Sequence, residues 1–138
     1  MLVNRNRSIP MQPPYVLPDS AKVEALEFDW DPYEGVWFFT SALSLAAAAK
    51  WFEHNLPPTG NANPDEGKLE FYFADDDGNE WSILVSDAGH RPAVADLNAY
   101  VGSTRLEKRT ASLTRGVVVV VFKHRPKPAR PTRPKRRR

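Results

Sequence analysis

The sequence predicts an α+β fold: a small antiparallel or mixed sheet in the order strand, strand, helix, strand, strand, short helical segment, strand, with one main helix packed on a face. Three observations carry this. Two stretches of alternating apolar residues each fold back through turn chemistry, one at "DPYEG" and one at "DDDGN". An alanine-rich stretch between them has helical spacing. A closing run, "VVVVVF", is apolar at every position. Dominance of hairpins over strand–helix–strand units favours antiparallel pairing with helix on a face.

The elements follow in order. Residues 1–21 read as an extended arm, because Pro10, Pro13, Pro14 and Pro18 interrupt both helix and central strand. "KVEALEFDW" alternates, with a parity switch at Ala25–Leu26 that predicts a bulge. Pro32 and Gly35 suit a turn, and "VWFFT" follows as the second strand. "SALSLAAAAKWFEHNLPP" is the main helix. Ser41 or Ser44 is its cap, Leu45, Ala49, Phe52 and Leu56 form one stripe, and Pro57 and Pro58 end it.

"TGNANPDEG" reads as loop. "KLEFYFA" and "EWSILVS" form the second hairpin, with Leu69, Phe71 and Phe73 on one face and Trp81, Ile83 and Val85 alternating likewise. In "HRPAVADLNAYVG", Pro92 opens a short helix, Val94, Leu97 and Val101 form its buried stripe, and Gly102 closes it. "STRLEKRTASLTRG" is expected to be a polar excursion or an edge strand. "VVVVVF" is a strand covered on both faces, hence central.

Composition sets limits on function. A chain of 138 residues with 41% apolar content supports one domain with a real core. Without cysteine, disulfide scaffolds, thiolate metal sites and cysteine nucleophiles are excluded. No apolar run approaches the roughly 20 residues of a membrane span, and no signal peptide is legible. A cytoplasmic protein is expected, or a nuclear or virion protein in a eukaryotic or viral setting.

The net charge of +2 conceals an asymmetry. Residues 123–138 hold Lys123, Arg125, Lys127, Arg130, Arg133, Lys135, Arg136, Arg137 and Arg138 and no acid. Residues 23–122 hold seven basic and sixteen acidic residues, a charge of −9. An acidic domain, residues 22–122, therefore carries a basic Pro/Arg-rich tail, residues 123–138. Pro126, Pro128, Pro131 and Pro134 favour polyproline II, which repeats every three residues. Lys127, Arg130, Arg133 and Arg136 then share one edge, with a cation about every 9 Å.

Such a tail fits nucleic-acid phosphates, where arginine adds bidentate contacts and base stacking. It also contains "PARPTR" and "PTRPKR", proline-rich patterns suited to SH3-type grooves, and "PKRRR", a short basic import pattern. A solvated end, folded back on its own acidic domain, is the plainer alternative.

Other motifs carry less. Asp75, Asp76 and Asp77 resemble part of a calcium loop, but alignment on Gly78 puts Phe73 and Leu84 at ligand positions. Ser86, Asp87 and His90 lie too close in sequence to converge as a triad. His54 suits a helix C-terminus. Trp37, Phe39 and Tyr72 are candidate partner-binding aromatics, with core filling as the alternative. No metal or cofactor site emerges. The expected function is that of a non-enzymatic accessory protein. Its acidic domain docks on a protein assembly, such as a ribosome or a phage or virus particle, and its tail binds RNA or DNA. A protein-interaction module and a small enzyme with a carboxylate site are the competing readings.

Overall fold

The computed structural model describes residues 3–4, 13–30, 33–57, 61–62 and 66–125. Its centre is an antiparallel sheet. The long strands are β2 (Ser20–Trp30), β3 (Tyr33–Ser41), β5 (Lys68–Ala74), β6 (Glu80–Asp87) and β7 (Val117–His124). Two-residue strands, β1 (Val3–Asn4) and β4 (Asn61–Ala62), flank them, and the spatial order is β1-β2-β3-β7-β6-β5-β4. The two hairpins expected from the sequence are present, and β7 is inserted between them, antiparallel to both β3 and β6.

That position explains the composition of β7. Val119 and Val121 face one core with Trp37, Phe52, Phe71, Phe73 and Trp81. Val118, Val120 and Phe122 face the other with Val36, Phe38, Leu97 and Leu106. A strand buried on both sides has no solvent face, so it shows no alternation.

Helix α1 (Leu45–Asn55) covers the first face. Ser44 caps it, its Oγ accepting from Ala47 N at 3.1 Å, whereas Ser41 Oγ donates to Pro18 O. The stripe runs through Leu45, Ala48, Phe52 and Leu56, one position away from the expected Ala49. The arm also contributes here: Leu17 is buried, and Tyr15 meets Phe73 edge-on at 5.3 Å.

The second face is covered by α2 (Arg91–Val101) and α3 (Thr104–Ala111). α2 matches expectation: Val94, Leu97 and Val101 are buried, and Gly102 ends it in the left-handed conformation at φ 72°. α3 corrects the expectation of a polar excursion or edge strand for residues 103–116. Ser103 Oγ caps it through Leu106 N, and Leu106 and Thr110, four apart, are its buried positions. With a threonine as its second buried position, its apolar stripe is nearly invisible in the sequence.

Register irregularities differ from expectation too. In β2 the bulge lies at Val23, between the pairs Lys22–Phe39 and Glu24–Phe38, not at Ala25–Leu26. Val23 and Ala25 share a parity yet serve opposite cores, which is what an inserted residue does. A second shift lies between Glu27 and Trp30. Gly35 belongs to β3 rather than to a turn exit, beside a bulge at Glu34. β4 occupies part of the stretch expected to be loop. Gly116, at φ 85°, brings the chain into β7 so close to β3 that a Cβ would sit 2.1 Å from Ser41 O.

Candidate functional site at the root of the basic tail

The antiparallel register decides where the tail leaves. β7 ends beside the start of β3 and the start of β6, so Arg125 emerges between the β2–β3 and β5–β6 turns. The bulge at Glu34 acts here. It turns Tyr33 onto the second face, with Phe122 and His124, and turns Glu34 towards the first face, where it meets Lys123.

An aromatic row results. Tyr33 stacks on Phe122, with ring centroids 4.5 Å apart and planes 28° apart. His124 stands edge-on between Tyr33, at 5.1 Å, and Tyr72, at 5.5 Å. Its Nε2 lies 2.8 Å from Ser82 Oγ. Tyr100, from the last turn of α2, extends the row: its hydroxyl is 3.3 Å from that of Tyr33, and its ring meets Phe122 at 6.0 Å. Tyr72 and Tyr100 are 38% and 45% exposed; with Val16 they are the large apolar side chains left exposed among the described residues.

Carboxylates rim the row. Tyr72 OH is hydrogen-bonded to Glu80; burial first, then this bond and the adjacent charge, raises its pKa above the usual phenol value. Burial raises that of Tyr33 further, helped by the Tyr100 hydroxyl and the charge of Glu70. Tyr72 donates to the Glu80 carboxylate, whereas either hydroxyl can be the donor between Tyr33 and Tyr100. The β5–β6 turn brings Asp76 and Asp77, both exposed, to the same end of the sheet.

The expected site residues separate. Lys123 is buried, with its ammonium on the Glu34 carboxylate, so it is a strand residue turned inward. Arg125 is exposed at the root, and its Nη2 donates to Tyr33 O at 3.2 Å. Lys127, Arg130, Arg133, Lys135, Arg136, Arg137 and Arg138 lie outside the described residues. Trp37 and Phe39 belong to the core, 1% and 5% exposed, and offer no partner-facing surface. Tyr72 does. Tyr33, Tyr100 and His124 were not singled out by sequence reasoning. The parity of Tyr72 and His124 was available as a signal, but the bulge that adds Tyr33 was not.

The weaker motifs resolve as structural parts. Asp75 Oδ1 accepts from Asp77 N and Asn79 N, and Oδ2 from Trp81 Nε1 and Asn79 Nδ2. Burial works to raise its pKa, but these bonds, the Trp81 indole foremost, outweigh it and lower the value. Both oxygens are thus engaged within the turn. No cluster of three or more potential metal ligands occurs among the described residues. Ser86 is buried, Asp87 Oδ1 accepts from Gly89 N, and His90 Nδ1 accepts from Ala93 N as the α2 cap. The Asp87 and His90 side chains are thus each engaged with backbone N–H groups rather than with one another. His54 lies exposed in the last turn of α1.

At the opposite end of the sheet, a wide open cleft of about 930 Å³ is bordered by Asp19, Thr40, Ser44, Asp87, Thr114 and Arg115. Its charges are of mixed sign. Among the described residues, no helix is long and apolar enough to cross a membrane. Compared with known proteins, the chain matches no family model, no curated protein and no solved structure.

Proposed function

We propose that this is a non-enzymatic accessory protein whose basic tail binds the phosphates of RNA or DNA while its acidic α+β domain docks on a protein assembly, a ribosome or a phage or virus particle. The observation that carries the reading is the division of charge. Setting Lys123 aside with Glu34, the tail still presents eight cations from Arg125 to Arg138 and no acid, against a charge of −9 over residues 23–122. Cations on a proline-stiffened chain displace counterions from phosphates whatever the base sequence. The domain has the opposite sign and repels them, which leaves the tail as the nucleic-acid element and the domain for a protein partner.

The test is truncation after Arg125. Every residue of the two cores precedes that point, so the shortened chain keeps its core intact. Full-length protein is expected to bind mixed-sequence RNA or DNA, and the truncated form to lose that binding with its circular dichroism and melting unchanged. Equal affinity of the two forms would remove the tail from the account.

A further inference from the structure

We infer that the aromatic row at the tail root is a docking face for the protein's own tail, residues 126–138, so that the tail is held on the domain until nucleic acid draws it away. The inference rests on the reading above for its regulatory half, since a tail held on the domain is withheld from phosphate. The docking itself rests on the face.

The occupant follows from three features. First, position: Arg125 already touches the Tyr33 carbonyl, and the tail continues from there without a linker. A segment tethered this closely meets the face at an effective concentration of about millimolar, well above that of a free competitor. Second, chemistry: Tyr72 and Tyr100 are exposed at the two ends of the row, with Tyr33 and His124 half-buried between them, and an aromatic-lined surface is what polyproline II segments pack against. Pro128, Pro131 and Pro134 recur every third residue and fall on one edge of such a helix, beside the cationic edge. Third, charge: Glu70 and Glu80 border the row and Asp76 and Asp77 lie at the same end of the sheet. Residues 126–138 carry seven cations and no acid. The same carboxylates oppose nucleic acid on this face, since each phosphate would approach a like charge.

The absence of cysteine makes a direct test simple. Ala129→Cys in the full chain gives one attachment point for a nitroxide, and paramagnetic broadening of backbone amides reports where the tail lies. The expected result is loss of signal at Tyr72, Ser82 and Tyr100 in the protein alone. Recovery is expected in Tyr72→Ala/Tyr100→Ala, and also in Glu70→Gln/Glu80→Gln, which leaves the aromatic row in place. A mixed-sequence oligonucleotide should restore the signals as it binds.

Broadening absent from these amides, or spread over distant acids such as Glu53, would overturn the docking face. Broadening that passes from a labelled chain to an unlabelled isotopic one would assign the face to a second copy's tail and overturn the intramolecular contact. An oligonucleotide that binds without restoring the signals would overturn the regulatory half. An oligonucleotide that fails to bind at all would overturn only the nucleic-acid reading, because the docking stands or falls on the broadening.

Discussion

Lys123 and Glu34 show how one ion pair separates domain from tail. The Lys123 side chain is 7% exposed and that of Glu34 37% exposed. Removing either partner is therefore not symmetrical. Glu34→Gln strands a buried ammonium and is expected to cost about 2–4 kcal/mol in denaturant unfolding. Lys123→Met leaves a carboxylate that water can reach and is expected to cost about 1 kcal/mol. Lys123→Met should also leave nucleic-acid affinity unchanged, and a clear loss would return Lys123 to the phosphate-binding set.

Asp75 makes a separate prediction in acid. Its pKa is depressed in the folded chain, so its contribution to stability is present above the unfolded value of about 3.9 and is lost as pH falls through the folded value. Asp75→Asn should cost about 1–2 kcal/mol at neutral pH. Its stability curve should also be flatter below about pH 4 than that of the parent. Parallel acid limbs would contradict the hydrogen-bonding account of the turn.

Elements were legible where one face alternates or one stripe is apolar. The second hairpin shows this in Phe71, Phe73, Trp81 and Ile83, and α2 shows it in Val94, Leu97 and Val101 with Gly102 at its end. β7 was legible as central from its unbroken valines. α3 was not. Only Leu106 and Thr110 of its eight residues are buried, and much of what fixes it comes from outside. Arg91 on α2 donates to Thr110 O, Leu113 O and Ala88 O, at 3.2, 2.9 and 2.9 Å, tying the end of α3 to the start of α2. No periodicity records a contact of that kind. Arg91→Ala is expected to cost about 1–2 kcal/mol and to speed amide exchange in α3 more than in α1. Equal acceleration in both helices would mean that Arg91 does not anchor α3 in particular.

At the scale of the whole molecule, the chain is a two-faced sheet whose last strand occupies the middle. The tail therefore leaves from the centre of the sheet end, between two turns, rather than from an edge. Charge division and tail composition were readable from residue counts alone. The aromatic row was not: it takes Tyr33 from β3, Tyr72 from β5, Tyr100 from α2 and His124 from β7, and needs the Glu34 bulge to bring Tyr33 onto the same face. Candidate aromatics chosen from the sequence divided accordingly, Trp37 and Phe39 into the core and Tyr72 onto the surface.

The central claim is that tail cations meet phosphates. It is tested most directly by the affinity of the full-length protein for a mixed-sequence duplex across a range of salt concentrations. If most of the eight cations from Arg125 onward neutralise phosphates, log affinity falls against log salt with a slope of about −5 to −7. A slope near zero, with binding still present, would contradict the claim and point to recognition of the tail by a groove rather than by a polyanion.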